Sequence, residues 1–540
     1  MEKTDCREAA VVLLFSAVFS FFNVYTYMAE KCESFTKAEY VIVLADFFLL
    51  AAVVFLAVRK GIRLWRSSAS AKNGNERRHP SGAEMPDDRL PDGQWYLLTV
   101  LALLFMWLPV FLAYFPGLFA YDADSQLFQD MGSYSTHHPL IHTLYLKFFY
   151  RIIGLGLFHS PNAGIVCATL VQMLLFAAML SYMHLFLRRL RISFRVRLVL
   201  IAAEGCLPFF SMLAISTTKD TLFSGFVCLF MTALCGEVCF PHLMREKLNR
   251  IVLFAAAAGV VLMRNNGIYP LAASCVCLLV SSLKKKNFRL LILLAAGTAA
   301  GLLASEALKA RLQAETVSVN EALGLPYQQL AGAYRDHAKD MTEEEQNAIL
   351  AFLPDAANYV SHNADAIKFT AEADKDLGGF IRVYLRTGCA WPKSYLKAAC
   401  RLDAGYLCLA DTTYARIYGT EDRQGLFLSD TKPGFDIEPD SRFPLLETIY
   451  EELYSADKYL YVFGLNILCS PALYFWTVFA LLGCSIIRRQ KRTAVLHVFT
   501  WTLIATILAG PCALIRYALA YIVIIPVLSA AVLSGESIVN

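Results

Sequence analysis

Apolar runs of spanning length recur along the chain. A helix that crosses a bilayer needs about 20 apolar residues, with a range of about 17–25. Runs that meet or approach this length lie near 9–28, 39–58, 95–115, 161–187, 197–215, 220–240, 251–283, 288–308, 457–487, 494–511 and 514–534. The run 251–283 is too long for one crossing, and Arg264, Asn265, Asn266 and Gly267 interrupt it. The pattern there predicts two short helices with a turn between them, giving about twelve crossings in all. Residues 140–158 are also apolar, but Lys147 and Arg151 stand four apart on that helix. Such an amphipathic pattern predicts a helix lying in the membrane interface. Within 197–215, Glu204 and Pro208 mark either a kinked polar site facing a cavity or a carboxylate bonded to a neighbouring helix.

The polar stretches set the orientation, because short cytoplasmic loops collect Lys and Arg. Segment 59–94 holds eight of them, 188–197 five, 284–289 four and 488–492 four. With twelve crossings all these clusters fall on one side, which predicts both termini in the cytoplasm. The expected fold is all-α: a polytopic transmembrane helical bundle with interfacial helices and a mainly helical extracytoplasmic domain. Its parts are an N-terminal hairpin (1–58), a flexible Gly, Ser and Pro-rich cytoplasmic linker (59–94), a transmembrane core (95–308), an outer domain (309–456) and terminal transmembrane helices (457–540). In the outer domain Thr342 and Glu345 have capping-box spacing, and 431–440 reads as a loop. The sequence shows no internal repeat.

Composition agrees. Hydrophobic residues make up 57% of the 540 positions and charged residues only 17%, against about 25% charged in soluble domains. The net charge of +4 is too small to argue for nucleic acid. Most of the fifteen cysteines, such as Cys206, Cys228 and Cys277, sit in apolar runs. They read as small buried hydrophobes rather than disulfides or zinc ligands. The first residues lack a basic n-region and a clean cleavage site, so the first run reads as a retained helix. A multi-pass protein of a bacterial plasma membrane is the expectation.

The candidate chemistry lies in the loop 116–143. Asp122, Asp124 and Asp130 follow Pro116 and Gly117, with no Lys or Arg before Lys147. A solvated acidic loop is one account. The other needs cations from elsewhere, and three stand singly at the outer ends of crossings: Lys219, Arg264 and Arg516. A charge at the hydrocarbon edge is costly and marks a site more often than chance when several share one depth. Snorkelling at helix ends is the alternative for each alone. Asp220 and Asn266 accompany Lys219 and Arg264 in their motifs, and Tyr517 follows Arg516, so these three join the candidate substrate-binding set.

Such a set suits a lipid-linked phosphate, with its tail in the bilayer and its head at this height. Arg and Lys neutralise the phosphate, and a carboxylate, Asp122 or Asp124, takes the proton of an acceptor hydroxyl. His137, His138 and His142 in the same loop are candidates for substrate hydrogen bonding or loop architecture. A divalent metal on two of them with an Asp is a further option, although adjacent histidines seldom chelate one ion. No cofactor is firmly implied. Gln328, Gln329 and Tyr334, at the opening of the outer domain, suit sugar hydroxyls or simply a docking helix.

Several motifs carry a family resemblance: 116–126 (PGLFAYDADSQ), 137–143 (HHPLIHT), 216–223 (STTKDTLF), 264–270 (RNNGIYP), 322–334 (ALGLPYQQLAGAY) and 511–526 (PCALIRYALAYIVIIP). From about residue 95 onward the chain resembles the GT-C superfamily of multi-pass glycosyltransferases that use polyprenyl-phosphate-linked sugars. Within that group it is most similar to a family of bacterial membrane proteins of unknown function. The resemblance implies a catalytic Asp at Asp122 or Asp124 and donor-phosphate contact by Arg516. It also implies interfacial helices in the first outer loop. No sequon-reading module is evident, so transfer to protein Asn is not implied. The expected partners are a lipid-linked sugar donor, a cell-envelope glycan, lipid or protein acceptor, and membrane lipids. A transporter or flippase of envelope lipids and a non-catalytic scaffold are the competing functions.

Overall fold

The computed structural model describes residues 2–31, 37–75, 90–119, 122–241, 243–409, 435–455 and 464–534. Every regular element among them is a helix. Helices α1 (Glu2–Lys31) and α2 (Lys37–Asn75) form a hairpin. The body begins with α3 (Asp92–Ala113), α4 (Ala123–Phe128), α5 (Leu140–Lys147, continued by a π-helical stretch Phe148–Phe158) and α6 (Pro161–Arg189). It continues through α7 (Phe194–Cys206), α8 (Pro208–Ile215), α9 (Lys219–Val238), α10 (Glu246–Met263), α11 (Ile268–Lys285) and α12 (Arg289–Leu312). Next come α13 (Gly324–His337), α14 (Glu343–Leu350), α15 (Asp365–Lys368), α16 (Leu377–Ala390), α17 (Pro392–Leu402), α18 (Ala404–Leu407) and α19 (Pro444–Ser455). The chain closes with α20 (Leu465–Leu468), α21 (Pro471–Ile487), α22 (Ala494–Leu508), α23 (Ile515–Ile522) and α24 (Ile525–Ser534).

The protein is an all-α polytopic membrane bundle. Nine helices among the described residues are long and apolar enough to cross a bilayer, and ten if α7 and α8, bent by 57°, count as one. About twelve crossings were expected from hydropathy. The two counts differ because α10 opens on charged Glu246, Lys247 and Arg250, and because α21 and α22 hold only 17 and 15 residues. Leu140–Phe158, expected to lie in the interface, is one continuous helical stretch, and it enters the count of nine by length and composition alone. It runs against α6 at a Gly–Gly crossing, where a Cβ on Gly164 would come within 2.6 Å of the Phe149 carbonyl. The expected linker begins instead as helix, since α2 runs on to Asn75; its residues 76–89 and the start of the expected run 457–487 lie outside the described residues.

The break between α7 and α8 follows from Pro208, which lacks an N–H and pushes the preceding Leu207 into an extended conformation. Just before the break Glu204 meets His184 of α6 at 2.7 Å. That is the second of its two expected roles, a carboxylate bonded to a neighbouring helix. Trp107 of α3 donates to the Glu204 carbonyl at 3.0 Å and stacks on Phe176 of α6. Around them α6, α9, α10 and α23 share a core that includes Phe186, Phe230, Leu253 and Leu519. Gly297 and Gly301 let α12 approach α10 closely, as small residues four apart do in membranes. An added Cβ would stand 2.7 Å from the Phe254 carbonyl at Gly297 and 2.8 Å from the Ala258 carbonyl at Gly301. A separate core of Tyr327, Leu330, Ile349, Leu353 and Phe380 holds α13, α14 and α16 together. The Thr342–Glu345 capping box is formed at the start of α14.

Candidate functional site: a charged cluster at the ends of three helices

The loop that leaves α3 is stitched into place before it reaches its first acid. Gly117 adopts φ +120° and backs onto Thr169 of α6, in a conformation and a space that exclude a side chain. Leu118 then pairs in parallel with the segment between α8 and α9. Its N–H donates to Ile215 O at 2.9 Å, and its carbonyl accepts from the Thr217 N–H at 2.8 Å. The far end of the loop is anchored as well. Thr136 N–H donates to Glu315 O, Glu315 N–H donates to Tyr134 O, and the Asn265 amide donates to Thr136 O at 2.8 Å. These links bring the loop, the start of α9 and the α10–α11 turn together.

Five of the charged candidates meet there. Lys219 Nζ donates to Asp122 Oδ2 at 2.6 Å and lies 3.2 Å from His138 Nδ1. Arg516 Nη1 stands 3.8 Å from both Asp122 Oδ2 and Asp220 Oδ2. Arg264 Nη1 donates to Asp220 Oδ1 at 3.0 Å. The Tyr517 hydroxyl accepts from Arg516 Nη2 at 3.0 Å, and its ring lies 4.6 Å from the Arg264 guanidinium carbon and 4.8 Å from that of Arg516. The side chain of Asp220 is 1% exposed, so two guanidiniums are positioned by a carboxylate that solvent barely reaches.

Helix electrostatics makes the arrangement notable. Lys219 opens α9 and Arg516 lies in the first turn of α23. Cations are disfavoured at the positive end of a helix dipole, so neither is placed to stabilise its own helix. Asp220 does suit that end, and Thr218 caps it by accepting from the Asp220 N–H and donating to its carboxylate. Three cations therefore surround two carboxylates at the N-termini of two helices, a setting that favours an anion.

Burial pushes the Asp122 carboxyl upward, but Lys219, Arg516 and His138 outweigh it and hold the group well below the usual carboxylate range. His138 is held down to about 3 by burial and by Lys219, against the pull of Asp122, and so is neutral at physiological pH. The gap between its Nδ1 and Asp122 Oδ2, 3.7 Å, is bridged by the Lys219 ammonium. A cation thus already stands where a metal shared by these two groups would be. Among the described residues no group of three or more His, Cys, Asp or Glu has the reach to hold a metal ion.

The other candidates lie around this cluster or away from it. Asp124 sits in the first turn of α4 and accepts from the Ser125 hydroxyl at 3.4 Å. His142 is fully buried; Gln126 donates to Thr143 at 3.1 Å, which leaves the amide oxygen to accept from His142 Nδ1 at 3.1 Å. His142 Nε2 then remains an acceptor with no hydrogen-bond partner among the described residues. His137 is exposed and faces Glu321 at 3.7 Å. Asn266 is exposed in the short helical turn between α10 and α11. Gln328 and Gln329 belong to the outer domain: Gln328 is buried and donates to Val360 O, while Gln329 donates to Tyr395 O and accepts from Tyr384. Tyr121, within the first motif, lies outside the described residues.

One expectation is corrected. Asp130 was read as an acid without local cations, yet Lys147 and Arg151 reach it at 3.0 and 2.8 Å. Their hydrogen bonds, Arg151's foremost, hold its carboxyl below the usual value. The helix that carries these two cations folds back over the loop, so a sequence distance of about twenty residues closes in space. Sequence reasoning also passed over Gln126. The available signal was its spacing, one helical turn after Asp122 on the same face of α4.

The bundle and its cluster define a class: a polytopic all-α membrane protein with an anion-ready charged site at one end of its helices. The chain belongs to the family described as "Family of unknown function (DUF6020)", which matches residues 129–536. No curated protein matches the chain, and no solved structure does. The matched region includes Lys219, Asp220, Arg264 and Arg516, and begins just after Asp122 and Asp124.

Proposed function

We propose that the protein is a membrane glycosyltransferase that takes a sugar from a polyprenyl-phosphate donor at the outer face of a bacterial plasma membrane. Both termini then lie in the cytoplasm, as the basic loops argue. The acceptor is a hydroxyl of a cell-envelope glycan, lipid or protein. The observation that carries this reading is the Asp122 carboxylate held at 2.6 Å by Lys219 and at 3.8 Å by Arg516. A depressed carboxylate is a weak base. The donor phosphate competes for the same two cations, and as it takes them Asp122 is released towards its ordinary basicity. The acceptor oxygen attacks the anomeric carbon, its proton passes to Asp122, and the bond to phosphate oxygen breaks. Polyprenyl phosphate leaves, with its charge held by Lys219, Arg264 and Arg516. Asp220 and Tyr517 position the two arginines.

The test is a transfer assay in nanodiscs with a panel of radiolabelled polyprenyl-phosphate sugars, each with and without divalent metal. Wild type should incorporate label from one donor. Asp122→Asn should lose roughly a hundredfold or more, in line with loss of a general base, while Asp124→Asn retains activity. Turnover of no donor, or wild-type rates in Asp122→Asn, would sink the proposal. A second reading, transport of envelope lipids, draws on the buried Glu204–His184 pair within the bundle. It predicts lipid translocation that Glu204→Gln abolishes and Asp122→Asn leaves intact.

A further inference from the structure

At the opposite end of the bundle from the charged cluster, a cavity of about 520 Å³ lies between α3 and α10, with α6 and α9 as its floor. Its volume falls within the roughly 300–1,000 Å³ typical of ligand pockets. Its walls are apolar: Leu175, Ala178 and Met179 of α6, Leu229 of α9, Leu248 and Val252 of α10. The two tyrosines that line it have their hydroxyls engaged. Tyr96 donates to Ala178 O at 3.1 Å, and Tyr182 donates to Asn249 at 2.9 Å. Nothing inside therefore calls for a polar guest. The cavity follows α6 from Leu175 to Arg189, about 21 Å at 1.5 Å per residue, and Leu175 and Leu248 are exposed along it.

The charge at its end leans positive. Arg188, Arg189 and Arg245 gather there with Asp92 as the carboxylate among them. Asp92 is bound by Arg188 at 2.9 Å and by Arg189 at 2.7 Å, and nearby Glu237 and Glu246 are engaged with Arg250. Arg245 is exposed and has no carboxylate within ion-pair distance among the described residues. It stands at the start of α10, and Arg264 at its other end. The two are about 28 Å apart along the helix, close to the roughly 30 Å thickness of a bilayer's hydrocarbon core. Arg245 is thus at headgroup height for the leaflet opposite the charged cluster.

We infer that this cavity is a binding site for one anionic phospholipid, with an acyl chain between α3 and α10 and the phosphate at Arg245. The apolar length suits a chain, the lateral exposure lets it enter from the bilayer, and the excess of arginine selects an anionic head. The inference is independent of any glycosyl transfer. The test is native mass spectrometry of the full chain released from nanodiscs of equal phosphatidylglycerol and phosphatidylcholine. Wild type should retain phosphatidylglycerol in preference to phosphatidylcholine. Arg245→Glu, at an exposed position, should lower phosphatidylglycerol retention roughly tenfold or more, since reversal removes one attraction for an anionic headgroup and adds a repulsion. Ala178→Phe, which fills the floor, should lower retention of both lipids, and its melting temperature in detergent reports whether it folds. Equal retention of the two lipids by wild type, or unchanged phosphatidylglycerol retention in Arg245→Glu, overturns the site.

Discussion

Lys219 and Asp122 stand 97 positions apart in the chain, yet the ammonium and the carboxylate meet at 2.6 Å. The pair is partly shielded, with side-chain exposures of 14% and 33%, and Arg516 shares the same carboxylate oxygen. Removing either partner therefore changes the ionisation of the other and the structure of the site together.

In Lys219→Met, Asp122 loses its nearest cation, and its carboxyl rises towards the ordinary value of about 3.9. Because the folded value in wild type lies below the unfolded one, the pair's contribution is present above the ordinary carboxylate range and lost as pH falls through the folded value. The variant should be destabilised by about 1–3 kcal/mol at neutral pH and be less sensitive than wild type to acid below about pH 4. Thermal melting in detergent across this range checks the sign. A variant that keeps the wild-type acid profile would contradict the pairing.

Asp220 holds Arg264 at 3.0 Å and stands 3.8 Å from Arg516. Asp220→Asn leaves both guanidiniums short of a counter-charge and should cost about 3–5 kcal/mol. Arg264→Gln on that background should recover part of the loss. A double-mutant cycle by denaturation measures the coupling, and strictly additive effects would show that Asp220 does not position Arg264.

Asp403 has the opposite character. It is 6% exposed, and burial raises its carboxyl well above the ordinary value. The fold therefore takes up a proton there, and this contribution is complete below the ordinary carboxylate range and declines as pH rises towards the folded value. Asp403→Asn should remove that slope and match or exceed wild-type stability near neutral pH. Melting temperatures of the two proteins between about pH 4 and 8 should converge at the acid end; parallel curves would refute a protonated Asp403.

Gly297→Val should force α12 away from α10, since an added Cβ would lie 2.7 Å from the Phe254 carbonyl. The expected cost is about 1–3 kcal/mol, as for overpacking in general. Gly156→Ala, whose Cβ would make an ordinary 3.4 Å contact, serves as the control. Equal melting temperatures for the two variants would show that the α10–α12 crossing is not tight.

Much of the bundle was readable from hydropathy, because a bilayer imposes one length on every crossing. The turn at Arg264–Gly267 and the capping box at Thr342 were legible for local reasons: polar residues broke an overlong run, and a helix start needs its N–H groups satisfied. The lone cations Lys219, Arg264 and Arg516 could be picked out because they stand almost alone at their depth. The central place of Asp220 was less visible, because an acid beside Lys219 in a first helical turn already has a capping explanation. The partners of Asp130 and the Gln126–His142 contact were hidden for a different reason. They depend on a helix returning over the loop, and nothing in local periodicity encodes that return.

The parallel pairing of Leu118 with the residues beside Ser216 bears on exchange at the site. Two backbone hydrogen bonds tie Leu118, at the start of the loop, to the corner where α9 begins. Separation of Asp122 from Lys219 then calls for side-chain rotation at a shielded ion pair rather than for movement of the chain at Leu118. Exchange of one anion for another at this corner is expected to leave the Leu118 pairing in place and to turn on the Asp122 and Lys219 side chains.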